Sequence, residues 1–335
     1  MSLRLHGDRL AQPGMIDFAV NVWPGPRPAP LEAALVNALA SSERYPDEHA
    51  ARNAIAMRHG CSSDEVLLTD GACEAFWLIA HAFRPATAAL VHPSFTEPEA
   101  ALRAVGSDIV RVLREPEHWR LDGAAVPQHA ECVVLGNPNN PTGTLLPPAD
   151  ITALARTGRL LVVDESFIDF VVSDSASVAG QRDIPGLIVV RSLTKMWSLA
   201  GIRAGYLLAA PEIVERLAAH RQPWSVNSLA CAALTVCADD DSTPRRVARE
   251  VAAARAELTE ALMRVRGLRV WPSAANFLLL RAVDGPGLVS SLARRGIAVR
   301  PAASFPGLDE RHIRIAVRGR EENALLVGAI TELRG

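Results

Sequence analysis

Arg191-Ser192-Leu193-Thr194-Lys195-Met196-Trp197-Ser198-Leu199-Ala200-Gly201-Ile202-Arg203 is the stretch on which the reading of this chain turns. It follows Leu187-Ile188-Val189-Val190, an apolar run of the kind that forms a buried strand, and precedes a second such run, Gly205-Tyr206-Leu207-Leu208. Lys195 therefore falls in a loop between two buried elements, with the hydroxyls of Ser192 and Thr194 just before it and Arg203 after it. A lysine so placed can lose its charge through burial and act as an amine nucleophile, the state a Schiff base needs. Ser192, Thr194 and Arg203 carry the donors that hold phosphate oxyanions. A solvated lysine in a turn is the plain alternative, and S-x-T-K by itself favours it.

With 335 residues the chain is long enough for a sizeable core and two domains. A hydrophobic share of 49% and a charged share of 21% describe an ordinary globular protein. The formal net charge is −2 and arginines are spread along the chain without a basic run, which argues against nucleic-acid binding. Cys61, Cys73, Cys132, Cys231 and Cys237 form no C-x-x-C pair, so free thiols in a reducing cytoplasm are expected and no metal site is read. The first residues carry charges without an apolar core, and no apolar run approaches a membrane span, so neither a secretory signal nor a membrane partner is expected.

Residues 1–30 are rich in proline and glycine and read as an extended arm with a short apolar run, Met15 to Val20. Helices are expected from about Leu31 and over Glu48–His59, then a strand at Glu65–Thr69. Apolar runs at 88–91, 109–113, 132–135, 160–163 and 187–190 alternate with helical patterns at 72–83, 97–105 and 148–156. This alternation predicts an α/β fold with a largely parallel sheet covered on both faces. The unusual residues Asp70-Gly71, Pro93, Asn137, Asp164 and Ser192 fall at strand C-termini, where such sheets bind ligands. Beyond residue 210 helical periods dominate to Arg266, with Arg245–Arg266 able to bridge two domains. A smaller α+β unit then reads as strands at 268–270, 277–280, 297–300 and 313–317, with helices at 287–294 and 321–333.

Four further segments carry chemistry. Thr69-Asp70-Gly71-Ala72-Cys73-Glu74 joins a strand to a helix whose first amides can face an anion, although a capped βα turn has the same look. His92-Pro93-Ser94-Phe95 supplies a ring that either lies on a flat ligand or belongs to the core. Asn137-Pro138-Asn139-Asn140-Pro141-Thr142-Gly143 is a polar loop directly after a buried strand, and Asn140 is placed to donate to a phenolate-like oxygen. In Val162-Val163-Asp164-Glu165-Ser166-Phe167 the aspartate needs a cationic partner, a protonated pyridine or a structural arginine.

Taken in order, G-A-C-E, P-S-F, N-P-N-N-P-T-G, D-E-S-F and S-L-T-K followed by Arg203 resemble the fold type I pyridoxal-phosphate enzymes of the class I and II aminotransferase family. The resemblance covers nearly the whole chain. It implies a large domain (residues 45–240) with a mostly parallel seven-stranded sheet, a smaller α+β domain (241–335), and an arm at 1–44 that forms part of the small domain. It implies pyridoxal 5'-phosphate as cofactor, bound covalently by Lys195, with Asp164 on the ring nitrogen, Asn140 on the phenolic oxygen and Phe95 on the ring face. Gly71, Ala72, Ser192, Thr194 and Arg203 would hold the phosphate. It further implies a homodimer in which Tyr45 reaches the other subunit's cofactor. Phe167 departs from a tyrosine common among relatives and removes one donor to the phenolic oxygen.

Within the family the chain resembles histidinol-phosphate aminotransferase and threonine-phosphate decarboxylase of cobalamin synthesis. Arg300 and Arg314 match arginines that receive the substrate's acidic group, while Arg318 and Arg320 look solvated. His6 in Leu5-His6-Gly7-Asp8, Phe167 and Pro223-Trp224-Ser225-Val226-Asn227 lean toward the decarboxylase. Asn21-Val22-Trp23-Pro24-Gly25 departs from the usual N-x-N-P-x-G, with Asn21 still able to line the site. A phosphorylated small-molecule amine is the expected substrate, and a decarboxylase is favoured over a transaminase. A non-catalytic pyridoxal-phosphate sensor is the remote alternative, set against by the intact Lys195 and Asp164.

Overall fold

The computed structural model describes Leu3 and residues 7–333. In chain order the first elements are β1 (Ile16–Asp17), α1 (Ala29–Ala40), α2 (His49–His59), β2 (Val66–Asp70), α3 (Gly71–Phe83) and β3 (Thr87–His92). Next come α4 (Glu97–Ala104), β4 (Asp108–Leu113), β5 (Cys132–Gly136), α5 (Pro148–Thr152), β6 (Leu160–Asp164), β7 (Leu187–Ser192) and β8 (Ala204–Ala209). After α6 (Pro211–Ala218), α7 (Ser228–Asp239) and α8 (Ser242–Met263) lie β9 (Leu268–Val270), β10 (Phe277–Ala282), α9 (Gly285–Arg294), β11 (Ile297–Ala298), β12 (Arg300–Pro301), β13 (His312–Ala316) and α10 (Arg320–Glu332).

The central sheet has seven strands in the order β2-β8-β7-β6-β5-β3-β4, parallel except for β8, which runs antiparallel to both neighbours. Central strands such as Cys132-Val133-Val134-Leu135 are buried throughout, as a sheet covered on two faces requires. One face packs on α1, α2 and α7, the other on α3, α4 and α6. Register aligns Gly136 with Asp164, Asp164 with Val190, and Ser192 with Gly205, so the C-terminal ends of β5, β6 and β7 meet at one edge. A four-stranded antiparallel sheet, β12-β13-β10-β9, forms a second core with α9 and α10. α8 serves both: Val247 and Val251 enter the first core, Leu258 and Leu262 the second.

Three expectations change. The segment 297–300 is not one strand: Ile297–Ala298 pairs in parallel with the arm at β1, and after Val299 the chain switches to pair Arg300 with Arg314. That second pairing is short, running through Pro301 to a last bond from Ala302 N–H to the His312 carbonyl. The helix predicted over 148–156 stops at Thr152, after which Leu154 and Ala155 close tighter turns onto the Ile151 and Thr152 carbonyls, and Arg159 gathers the carbonyls of Leu154, Pro127, Gln128 and Ala130. The arm is not merely extended, since β1 and the following Phe18 bond to β11 and β13. No helix among the described residues is long and apolar enough to cross a membrane.

Phe277 of β10 is 0% exposed and meets the edge of Phe167, 5.0 Å away between ring centres, where the second sheet rests on the first core. Phe277→Ala should therefore cost about 3–5 kcal/mol of unfolding free energy in urea titrations. A loss below about 1 kcal/mol would mean the two sheets do not rely on this contact.

Candidate active site

The ends of β2, β6 and β7 open, together with the arm and the second sheet, into a cavity of about 560 Å³. At its floor the turn from β2 into α3 passes close to β8, where an added Cβ on Gly205 would stand 2.8 Å from the Gly71 Cα. Gly71 has φ +73°, and a Cβ there would meet Arg203 Nη2 at 2.5 Å, so only glycine leaves the guanidinium its place. Arg203 donates to the Asp70 and Ala200 carbonyls at 3.2 Å each. Ser192 Oγ and Thr194 Oγ1 lie 2.7 Å apart, and Thr194 N–H donates to Ser192 Oγ. The structure thus brings Gly71, Ala72, Ser192, Thr194 and Arg203 together around the start of a thirteen-residue helix. Helix amides, hydroxyls and a guanidinium make a cradle for a phosphate dianion.

Lys195 lines the same cavity and is the only lysine in the chain. Burial, reinforced by the nearby charges of Arg314 and Arg203, lowers its pKa to about 8, while Asp164 and Asp8 act in the opposite sense. Asp164 ends β6, where burial raises its carboxyl pKa against the opposing effect of Ser166 and Lys195. Its Oδ1 accepts from Ser166 N (3.0 Å) and Ser166 Oγ (2.5 Å), leaving Oδ2 without a hydrogen bond among the described residues. A carboxylate so placed gains from a cation set against Oδ2. Phe95 and Asn140 also line the cavity. Asn140 Oδ1 accepts from Arg314 Nη1 at 2.7 Å, which leaves its Nδ2 as the group available to a ligand.

On the opposite side stand Arg300, Arg314 and Asn21. Arg300 is 2% exposed, not a surface group, and donates to Ser304 Oγ and the Pro301 carbonyl. Burial lowers the pKa of Arg300 to about 10 and of Arg314 to about 9, which leaves both cationic at neutral pH. Asn21 is buried with its Oδ1 unpartnered among the described residues. Arg318 is corrected: expected in solvent, it is 6% exposed and donates to the backbone carbonyls of Asp17, Val20 and Val22. Arg320 is exposed and pairs with Glu257. Tyr45 is outside this cavity, 76% exposed and stacked on Trp224 at 4.4 Å. His6 lies outside the described residues.

The cavity also takes in Glu97 and Phe305, which lie outside the sequence motifs, and Gly7, Asp8 and Cys73, which lie within them but carry no expected role. Glu97 is buried and accepts from Trp77 Nε1 at 3.4 Å, although its position at the start of α4 reads as routine helix capping. Ser166, the donor to Asp164, stood within the D-E-S-F motif itself.

The family model for aminotransferase class I and II matches residues 13–330. A protein named histidinol-phosphate aminotransferase from Mycobacterium tuberculosis is 43% identical over 98% of this chain and 90% of its own length. A threonine-phosphate decarboxylase from Salmonella typhimurium is 33% identical over 94% of this chain and 90% of its own length. The crystal structure of the histidinol-phosphate aminotransferase from Clostridium acetobutylicum superposes with a TM-score of 0.89 at 25% identity, covering 95% of this chain and 98% of that one. The chain belongs to the class I and II aminotransferase family of pyridoxal-phosphate-dependent enzymes. The residues present fit that cofactor, with an anion cradle at one end, a sole lysine of lowered pKa, and a buried carboxylate with a free oxygen for a protonated ring nitrogen.

In the protein stripped of cofactor, Lys195 should react with an amine-directed reagent along a pH curve centred near 8 rather than 10.5. Peptide mass spectrometry separates its label from that on the N-terminal amine. Asp164→Asn should move the curve lower, because the carboxylate favours the ammonium form. A curve centred near 10.5 would contradict the burial of this amine.

Proposed function

We propose that this family member acts on a small amino acid bearing both a carboxylate and a phosphate, and that it removes the carboxylate, as a threonine-phosphate decarboxylase does. The observation that carries this reading is the pair Arg300 and Arg314, directly opposed across β12 and β13 and both facing the cavity. Two guanidinium groups suit a substrate that itself supplies two acidic groups. Histidinol phosphate supplies a phosphate but no carboxylate. A cytoplasmic role in cobalamin synthesis goes with the decarboxylase reading.

When bound, pyridoxal phosphate supplies an electron sink for the bonds at the substrate's Cα. Asp164 would hold the ring nitrogen protonated, with Ser166 keeping that carboxylate aimed by occupying its other oxygen. Gly71, Ala72, Ser192, Thr194 and Arg203 would hold the phosphate, Phe95 would lie on the ring, and Asn140 Nδ2 would donate to the phenolic oxygen in place of the hydroxyl that Phe167 lacks. Lys195 would anchor the cofactor, and its amine is the group that would move a proton at the substrate's Cα. Arg300 and Arg314 would hold the acidic groups, with Asn21 beside them, and His6 is assigned to the substrate's acidic group on the sequence resemblance alone. Tyr45, exposed and stacked on Trp224, would complete the phosphate site of a second copy if the chain pairs as a homodimer.

A histidinol-phosphate-type aminotransferase is the second reading, favoured by the 43% identity to the Mycobacterium tuberculosis protein of that name. It uses the same Lys195 and Asp164, and the two arginines would then meet both carboxylates of 2-oxoglutarate. The reactions differ in which Cα bond stands perpendicular to the ring.

Incubation of the loaded enzyme with threonine O-3-phosphate, without keto acid, should yield aminopropanol phosphate catalytically by mass spectrometry. Conversion of the cofactor to its pyridoxamine form instead would reject decarboxylation and make histidinol phosphate with 2-oxoglutarate the next pair. Arg314→Ala should raise KM by roughly two orders of magnitude, since losing one side of a buried charge-assisted contact costs about 2–5 kcal/mol. An unchanged KM would move the acidic-group site elsewhere.

A further inference from the structure

We propose that Arg318 is a positioning residue for the substrate side of the cavity, acting through the N-terminal arm without touching a ligand. Arg318 follows β13, and its guanidinium turns back toward the arm. Nε donates to the Asp17 carbonyl at 2.7 Å, Nη2 to the Val20 carbonyl at 2.6 Å, and Nη1 to the Val22 carbonyl. Those three carbonyls bracket Ala19, Val20, Asn21 and Val22, the residues of this segment that wall the cavity.

The guanidinium is itself projected from a fixed backbone. Arg318 N–H donates to Asn323 Oδ1 at 3.0 Å, and Asn323 Nδ2 donates to the Arg318 carbonyl at 2.8 Å, at the entry to α10. The arm is pinned at its other end to the lysine loop, where Trp23 N–H donates to the Lys195 carbonyl at 2.9 Å and Ser198 Oγ donates to the Trp23 carbonyl. Segment 17–23 is therefore strung between the loop that carries the amine and the sheet that carries Arg300 and Arg314. Its four wall residues take their place from both attachments. Asn276 Nδ2, donating to the Asn21 carbonyl at 2.8 Å, adds a contact from the same sheet. A planar fork with donors on three nitrogens can span three carbonyls, whereas a lysine ammonium on a flexible stem cannot hold all of them.

The kinetic half of this inference rests on the proposed substrate site; the structural half does not. The test uses the full-length, cofactor-loaded protein as wild type, Arg318→Lys and Arg318→Gln. Amide hydrogen exchange is followed for the peptide covering 15–23 and for one covering β10, alongside the absorbance of the lysine-bound cofactor. KM and kcat are measured with threonine O-3-phosphate, or with histidinol phosphate and 2-oxoglutarate if that pair turns over. In Arg318→Gln the arm should exchange about tenfold faster while β10 and the cofactor absorbance stay unchanged. KM should rise about tenfold with kcat within about threefold, and Arg318→Lys should fall between. Unchanged arm exchange in Arg318→Gln overturns the proposal, as does a loosened arm with KM unchanged. Faster exchange across both sheets in Arg318→Lys as well as Arg318→Gln also overturns it, because Arg318 would then be a general stability residue. If wild type turns over neither substrate pair, the proposed function fails, and the arm's exchange alone decides whether Arg318 holds it.

Discussion

Crowding of like charge around one buried amine is the constraint on which the rest of the site depends. Lys195, Arg203 and Arg314 share a cavity, and the two guanidinium groups together with burial push the lysine toward its neutral form. Asp164 offsets part of this, but its own carboxyl is pushed up by burial. The lining carries four cationic side chains, Lys195, Arg203, Arg300 and Arg314, against the carboxylates of Asp8, Glu97 and Asp164, and in a low-dielectric setting that excess is felt. In the proposed reading a phosphate at Arg203 and an acidic substrate at Arg314 would relieve it at two ends. The field that prepares the amine for covalent chemistry is thus the field that attracts anionic ligands. The parallel strands matter because their register delivers Asp164 and Ser192 to one edge, beside the glycine turn at Gly71.

Arginine elsewhere in the chain does a different job. Arg159 gathers the carbonyls of Pro127, Gln128, Ala130 and Leu154, and Arg318 gathers three more from the arm. Each supplies donors to several backbone carbonyls at once from a single side chain. Because guanidinium groups stay protonated, none of these fasteners competes with Lys195 for a carbonyl compound. With a single lysine in the chain, side-chain amine chemistry is confined to one position.

Strand cores were legible in the sequence because strands buried on both faces read as unbroken apolar runs, and their polar ends stood out by contrast. The same contrast pointed to Asn140, Asp164, Ser192 and Lys195, which the fold gathers into one cavity, and to Gly71, which packs against Arg203 at its floor. What escaped depends on partners far away in sequence. Arg318 sits in a polar stretch and looks solvated until the arm's carbonyls, about 300 residues earlier, are brought against it. Glu97 looks like a cap until Trp77 and the cavity enclose it. The break at Val299 could not be read from composition, since both halves are apolar or extended and only their partners differ. Tyr45 remains exposed within one chain, so no single-chain geometry can give it a ligand.

Residue identity leaves the choice between losing a carboxylate and losing a proton undecided, and in the proposed reading the contacts of Arg314 bear on that choice. One nitrogen of Arg314 holds the arm at the Ala19 carbonyl, another holds Asn140 Oδ1, and Nε has no partner among the described residues. In the proposed reading Asn140 is the donor to the ring oxygen, made more important by the phenylalanine at 167. An acidic group drawn onto Arg314 therefore presses on the same guanidinium that orients the ring's donor and the arm's wall. In that reading the substrate carboxylate, the ring's donor and the arm would all draw on one side chain, so the substrate's orientation would depend on how that guanidinium divides its donors and not on residue type alone.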